Sequence, residues 1–563
     1  MAHRDQRLGA IPPASHSPFD APGSAQDAPA SDGTALSAFP RLLFYNWKLS
    51  ILCLLAGMAV SFLLFGLWWP YWWIADMDTF LAYQGLLFND GLPQEFFDHP
   101  AYLSYLSLGA WYWLLHGLGL LPVDALSSLP PATDATAFNH AWQQLIAWGR
   151  VLSLLIAAIY VTTFAILVRR LFADWRLAIL AATALAYSGG IAMHFRVIRT
   201  ELLSSALATT ALLLALIVAR EPKLRHRALF LVATGLCAAL AVVDKVQAIF
   251  VVLLIPLIAL FFGTPADESD ARADVRRGEW ASTLMLLILA VATTLPALAL
   301  IWIGIESGRA VYHPIGGGLA GTYQWLIAGF VVLAMIVYAK IWRTSFVETI
   351  AAIAAIALGV NIGILSLLLS YNLQNIMATA NPIEHMFTFA AWSLPALSNE
   401  PQIISGTLIA TLFKGLGRAL AAHTFVLHTS PRPTLLLEWF AIAGGIVAWR
   451  HGERRLPLQI AVLVISVWGL DTLFTLRGLK LEYFAYSDPL LILAAALVAT
   501  RIRADQVSLR AQRVTLGLLA LTIIWAHAEP VKTTLSHRTA QESCSFYPHY
   551  VSRVTFPFCL PPS

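Results

Sequence analysis

Apolar stretches close to the roughly 20 residues that cross a bilayer recur along almost the whole chain, separated by short polar turns. Read by length and hydropathy, thirteen of them predict spanning helices, at about 48–70, 147–168, 176–194, 200–219, 228–243, 247–263, 281–304, 323–341, 347–371, 434–449, 456–474, 487–502 and 514–528. The expected architecture is an all-α polytopic membrane protein, one embedded body rather than several soluble domains. Two further apolar runs break the pattern. Ala101–Leu121, rich in Tyr102, Tyr105, Trp111, Tyr112 and Trp113, suits a helix lying at headgroup depth. Pro401–His428 is interrupted by Lys414, Arg418 and His423, as in a non-spanning amphipathic segment.

The turns set the orientation. Basic residues gather at alternate turns: Arg169, Arg170 and Arg176; Arg220, Lys223, Arg225 and Arg227; Arg272, Arg276 and Arg277; Lys340 and Arg343; Arg450, Arg454 and Arg455; Arg501, Arg503, Arg510 and Arg513. By the positive-inside rule these turns face the cytoplasm, which puts the N-terminus inside and the C-terminus outside. Counting Ala101–Leu121 as a span would move Arg169 and Arg170 to the wrong side, a second reason to lay it in the interface.

Composition agrees. Of the 563 residues 58% are hydrophobic and 12% charged, and the mean hydropathy is +0.70. The formal charge of +4 comes from the inner turns and is not a nucleic-acid signal. Residues 1–45, rich in Pro, Ala, Ser and Asp, cannot bury a core and read as a disordered cytoplasmic tail. Cys53 and Cys237 lie inside apolar stretches, whereas Cys544 and Cys559 sit in the polar tail 529–563, where a disulfide would require an oxidising compartment such as a periplasm. Together these features fit a bacterial inner membrane.

The non-cytoplasmic turns carry isolated ionisable residues of mixed sign, the asymmetry expected of a site. In the first outer loop, 71–146, Asp76-Met-Asp78 offers two carboxylates for deprotonating a hydroxyl or holding a divalent cation; the same spacing also makes an ordinary helix start. Asp98-His99-Pro100 opens the aromatic helix, whose free N–H groups suit an anion, or are simply capped by Asp98. His194-Phe-Arg196-Val-Ile-Arg199-Thr-Glu201 begins a long apolar helix, with residues 196, 199 and 200 expected on one face; its arginines suit phosphate or pair with the acid. Asp244-Lys245 follows Gly235–Val243 and is a phosphate reach or an internal ion pair. No G-x-S-x-G, H-E-x-x-H, P-loop or Cys/His metal spacing occurs. Trp68, Trp69, Trp72 and Trp73 read first as interfacial anchors.

In order and spacing these motifs resemble the polyprenyl-phosphate-sugar-dependent enzymes of the glycosyltransferase C superfamily, especially the protein O-mannosyltransferase and lipid A aminoarabinose transferase branch. The match runs over roughly Trp47–Phe262, so 46–263 is the expected core, followed by the remaining spans of 264–528 with a long outer loop at 372–433. Asp76-Met-Asp78 is similar to the branch's acidic pair, Asp98-His99-Pro100-Ala101-Tyr102 to its K-P-P-L or H-P-P-L motif, Gly149-Arg150 to its Arg-Leu, Arg196–Glu201 to its R-x-x-x-x-D, and Gly235–Lys245 to its glycine-rich segment. Arg477-Gly-Leu-Lys480-Leu-Glu482-Tyr483 through Asp488-Pro489 is similar to its late R-Y-x-x-P segment. His99 stands where Lys is usual, Ala101 for a second Pro and Glu201 for Asp.

The resemblance implies inverting transfer of a sugar from a polyprenyl-phosphate donor to an envelope lipid, glycan or protein on the periplasmic face. It implies Asp76 as base with Asp78 assisting or sharing a divalent cation, donor phosphate near His99, Arg196, Arg199, Lys245 and Arg477, and Glu201, Glu482 and Tyr483 nearby. A secondary transporter shares the composition, but the sequence shows no convincing internal repeat and its isolated charges sit at outer ends. A non-catalytic assembly or flippase component shares it too but has no need of the acidic pair.

Overall fold

The computed structural model describes residues 46–95, 101–221, 226–264, 277–306, 319–373, 408–424, 432–475, 481–501, 509–536 and 539–560. The expected disordered tail, 1–45, lies outside them. Among the described residues the chain is helical throughout. The first elements are α1 (Trp47–Phe65), a π turn (Ala75–Thr79), α2 (Phe80–Asn89), α3 (Tyr102–Gly117), α4 (Ala135–Phe172), α5 (Trp175–Ala186), α6 (Gly189–His194), α7 (Thr200–Arg220), α8 (Arg227–Asp244) and α9 (Ala248–Phe262). Then come α10 (Arg277–Glu306), α11 (Leu319–Trp342), α12 (Phe346–Leu373), α13 (Leu408–Ala422), α14 (Leu435–Arg450), α15 (Arg455–Phe474), α16 (Phe484–Ala499), α17 (Leu509–Ala526), α18 (Ala528–Leu535) and α19 (Tyr547–Tyr550).

Helix occurs in every expected spanning stretch, with 176–194 broken at Tyr187-Ser188 into α5 and α6, and the number long and apolar enough to cross a membrane is 8 among the described residues. They are α1, α4, α7, α8, α15, the stretches Trp280–Ile303 and Phe346–Ser370 of α10 and α12, and Leu481–Ala499. The apolar helices Trp175–Ala186, Ala248–Phe262 and Leu326–Trp342 are shorter. At about 1.5 Å per residue the 15 residues of α9 reach about 22 Å, less than a hydrocarbon core of about 30 Å. Of the other two, α14 has 16 residues and encloses Glu438, and α17 opens on Arg510 and Arg513.

The helix richest in buried residues is the late one: 89% of the Leu481–Ala499 window is buried, against α5, α6, α7, α14 and α15. Elsewhere small residues let backbones touch, since lipid gives two helices no hydrophobic drive to associate. A Cβ on Gly235 of α8 would collide with the Ile356 carbonyl of α12, and one on Gly359 of α12 with the Val232 carbonyl of α8.

Both non-spanning expectations hold as helices. α3 turns Tyr105, Leu108, Tyr112 and Leu115 inward against α2 and α4 and leaves Trp113 and Leu114 outward. All three tyrosines assigned to the headgroups, Tyr102, Tyr105 and Tyr112, are therefore core. In α13, Lys414 and Arg418 are exposed while Gly415, Ala419 and Ala422 are buried, with Gly415 against Thr472 of α15. Just past α13, His423 bonds Glu438 Oε2 (2.5 Å) and Asp471 Oδ2 (3.0 Å), and Arg432 pairs with Asp471 and Asp488, so a buried ionic network ties this segment to α14, α15 and α16. The remainder of the expected loop 372–433 lies largely outside the described residues.

Cys544 and Cys559 form a disulfide, and the tail between them packs Tyr547, Phe556 and Phe558 on Tyr71, Phe138 and Trp142 of the first outer loop. Ser543 Oγ donates to the Trp72 carbonyl (2.9 Å), Ser552 Oγ to Glu95 Oε2 (2.6 Å), and Arg553 pairs with Glu95.

Two outcomes are expected. Replacing Gly359 with Leu forces α8 and α12 apart and should cost about 1–3 kcal/mol, read as a lower detergent-solubilised unfolding midpoint; an unchanged midpoint would refute the close packing. Burial alone would raise the Glu95 carboxyl, but the bonds from Ser552, Tyr83 and Arg553 outweigh it and hold it below its ordinary 4.5. A folded value below the unfolded one stabilises the docked tail above the ordinary value, and that stabilisation is lost as pH falls through the depressed one. Hydrogen-exchange protection of 545–556, corrected for intrinsic rate, should therefore fall on acidification in the native chain and much less in Glu95→Gln.

Candidate active site

The acidic pair lies on the π turn between the tryptophan-rich stretch and α2. Asp78 is fully buried, so its charge requires a partner, and Arg150 of α4, itself without exposed surface, supplies one. Arg150 donates Nε and Nη2 to Asp78 Oδ2 (2.9 and 2.7 Å) and Nη1 to the Trp69 carbonyl (2.6 Å). The second oxygen, Oδ1, accepts the Ile198 N–H at 2.6 Å. Gly149 makes room for this, because a Cβ there would collide with Ile198 and come within 2.8 Å of the Tyr112 hydroxyl. Asp78 thus joins the first outer loop, α4 and the turn before α7. Asp76 is described by its backbone alone, on the same turn two residues earlier.

That turn is not helical, which changes one expectation. α6 ends at His194, Arg199 is the extended N-cap of α7 with φ −146° and ψ 142°, and the helical period begins only at Thr200. Residues 196 and 199 therefore do not share a helix face. Arg196 turns to α1, where it bonds Ser61 and stacks 4.1 Å over the Phe195 ring, with Nε and Nη1 buried and without a hydrogen-bond partner. Ser61 is also bonded to His527 Nε2 (2.5 Å). Arg199 instead pairs with Glu482 at 3.4 Å. Glu201, one turn into α7, pairs with Lys245 at 3.2 Å with both side chains buried. His194 is buried, with Nδ1 on the Gly190 carbonyl and Nε2 without a hydrogen-bond partner.

Asp244 has a different task from its neighbour. Its Oδ1 accepts the Ser104 N–H (2.8 Å), its Oδ2 the Ser104 hydroxyl (3.1 Å), and its carbonyl the Ala101 N–H (2.8 Å). It is a cap supplied from α8 to the first turn of α3, where the N-cap Ala101 has φ 48° and bonds nothing with its own side chain. The residue that directly follows the Asp98-His99-Pro100 motif is thereby tied to the Asp244-Lys245 motif. From the late segment, Tyr483 stacks on Phe474 at 4.8 Å and the Tyr486 hydroxyl bonds Ser204 of α7 at 3.0 Å.

Five stretches far apart in sequence are therefore linked by direct bonds in one region: 78, 101–104, 198–201, 244–245 and 482–486. Arg199 also lies within electrostatic reach of Asp78, and Glu201, Arg199 and Glu482 within reach of His194. Asp98, His99, Arg477 and Lys480 lie outside the described residues. Arg150 was legible only through its motif, although an arginine inside an apolar stretch is itself a signal. The same signal, lone acids at Glu438 and Asp471 in spanning stretches, marks the network around Arg432, which reading loop by loop missed.

The donor set argues against one expectation. A cation shared by Asp76 and Asp78 does not fit, since both Asp78 oxygens are engaged by Arg150 and the Ile198 amide and the side chain is closed to solvent. Removing one partner strands a buried charge: Arg150→Met should destabilise by roughly 3–5 kcal/mol, and Asp78→Leu combined with it should recover much of that loss. Midpoints for the two single variants and the double variant test this; additive losses would show that the two side chains do not act as a pair.

No family model matches the chain, and no curated protein matches it. Among solved structures the chain is similar to the Archaeoglobus fulgidus oligosaccharyltransferase in its apo form, with 13% identity and a TM-score of 0.43 over 90% of this chain and 56% of that one. This chain thus spans little more than half the length of that protein.

Proposed function

We propose that this membrane protein is a glycosyltransferase that moves a sugar from a polyprenyl-phosphate donor to an envelope acceptor, a lipid, a glycan or a protein, on the periplasmic side. The observation that carries the reading is the bonding of Asp78, Ala101, Ile198–Glu201, Asp244-Lys245 and Glu482 into one region, because these are the motifs whose order resembles that enzyme class.

Asp76 is the base in this reading, and Asp78 positions its turn through Arg150. An acceptor hydroxyl loses its proton to the Asp76 carboxylate while its oxygen attacks the anomeric carbon from the face opposite the phosphate. The bond from that carbon to the phosphate oxygen breaks, and polyprenyl phosphate leaves with the electron pair. Arg199 and Lys245 stabilise the charge that grows on the phosphate, with His99 and Arg477 joining them. In the structure Arg199 and Lys245 pair with Glu482 and Glu201, at 3.4 and 3.2 Å, and in this reading the phosphate takes the place of those carboxylates. Arg196 has other neighbours and is the remaining candidate for an anion, since it bonds a neutral serine and holds two unpartnered donor nitrogens.

A secondary transporter is the second reading, favoured by the buried Glu438, Asp471 and Asp488 network, since chains of buried acids and histidine also serve ion coupling. Transfer of radiolabelled sugar from polyprenyl-phosphate donors in membranes separates the two. Asp76→Asn at equal expression should lower donor-dependent transfer by about 10²–10⁴-fold. Transfer that survives removes Asp76 as base, and no transfer from any donor to any envelope fraction favours transport.

A further inference from the structure

A second polar site lies at the other end of the same helices. It is a cavity of about 350 Å³ where the C-terminal ends of α4, α7 and α16, the residue Thr264 just past α9, and the start of α15 meet. Arg220, Arg455 and Arg501 line it together with Thr264, Thr500 and Gln459, and among the described residues no carboxylate does. These arginines come from three of the turns that the positive-inside rule puts at the cytoplasm. Their convergence in one cavity does not follow from that rule, which asks only for the side.

Part of each guanidinium is explained by the fold. Arg220 Nη1 donates to the Leu171 carbonyl (2.8 Å), and Arg455 Nη2 to the Phe262 carbonyl (3.3 Å) and the Gly263 carbonyl (2.5 Å), which caps the ends of α4 and α9. Arg501 Nη2 bonds Glu453 at 2.5 Å. Among the described residues each arginine thus bonds through a single nitrogen of its five-donor guanidinium. Among the described residues the charge is not balanced: Arg220 lies within electrostatic reach of both other arginines and of Glu221, which also pairs with Arg170 at 2.5 Å, and Glu453 offsets one charge. Three cations with two hydroxyls and an amide beside them, and no acid among the described lining residues, match a phosphate or phosphodiester group, whose oxygens accept from arginine forks and hydroxyls alike. Basic pockets between helix ends at the cytoplasmic leaflet are where anionic lipid headgroups bind.

We propose that this cavity binds a phosphate-bearing anion, supplied by an anionic phospholipid headgroup or by a soluble phosphate. The site is independent of the transferase reading and stands or falls without it.

The test is binding to the full chain in detergent. Phosphatidylglycerol and phosphatidylcholine are titrated and retained lipid is counted by native mass spectrometry, and inorganic phosphate is titrated separately against the unfolding midpoint. Phosphatidylglycerol should be held at least about tenfold more tightly than phosphatidylcholine. Arg455→Gln and Arg501→Gln should each remove most of that preference, the second at a side chain 62% exposed where folding is undisturbed. Arg454→Gln is the control, since Arg454 lies 3.9 Å over the Trp449 ring and does not line the cavity. It should change nothing. Phosphate that raises the midpoint in the native chain but not in Arg501→Gln, with no lipid preference, supports the site and assigns it a soluble ligand. No preference and no response to phosphate, or an equal loss in Arg454→Gln, overturns it.

Discussion

The Asp78–Arg150 ion pair is the constraint on which the outer region depends. Both charges lie without exposed surface, and an isolated ion there would cost several kcal/mol, so neither can move unless the other follows. Because Arg150 also holds the Trp69 carbonyl and Asp78 also holds the Ile198 amide, the pair fixes three chain segments at once. The turn that carries Asp76 is set against the turn that carries Arg199 by one carboxylate. A hydrophobic pair of the same volume would fill the space but could not orient the Ile198 N–H, and hence could not set where α7 begins.

From that beginning α7 runs 21 residues, about 30 Å, to Arg220. It therefore joins two polar ends of different character. At the Thr200 end Arg199 is matched by Glu482 and Lys245 by Glu201, while Arg196 bonds a neutral serine. At the Arg220 end the arginines lining the cavity outnumber the acids among the described residues. The contrast follows from how each end satisfies its backbone: helix C-termini present carbonyls that a guanidinium can cap, whereas the start of α3 presents N–H groups that need the Asp244 carboxylate.

Much of this was legible in the sequence, because a bilayer leaves few options for a 20-residue apolar run. These runs are helical apart from the break that divides 176–194 into α5 and α6, the aromatic run at 101–121 holds α3, the described part of the interrupted run at 401–428 holds α13, and the Cys544–Cys559 pair is bonded. Arg220, Arg455 and Arg501, from three of the basic turns, lie at one end of the helices and share one cavity. Where sequence and structure differ, the causes are physical. Of the thirteen expected spans, 8 are long and apolar enough to cross a membrane among the described residues, while α5 and α9 are apolar yet short. Arg196 and Arg199 parted because helical spacing was applied to residues before the N-cap. The network of His423, Glu438 and Asp471 was missed because each member is solitary in sequence and only packing makes it a group.

The different fates of Asp244 and Lys245 carry the same lesson within one motif. As adjacent residues they read as an internal ion pair or as a phosphate reach, and neither description covers both. Asp244 ends α8 and Lys245 is extended, so the two side chains leave the backbone in different directions. The acid goes to the N–H groups of α3 and the base to Glu201. Because the cap on α3 comes from α8, the helix that follows Asp98-His99-Pro100 cannot shift without disturbing the backbone that carries Lys245. A site assembled from loops on separate helices gains its rigidity in this way, through side chains that satisfy a neighbour's backbone rather than their own.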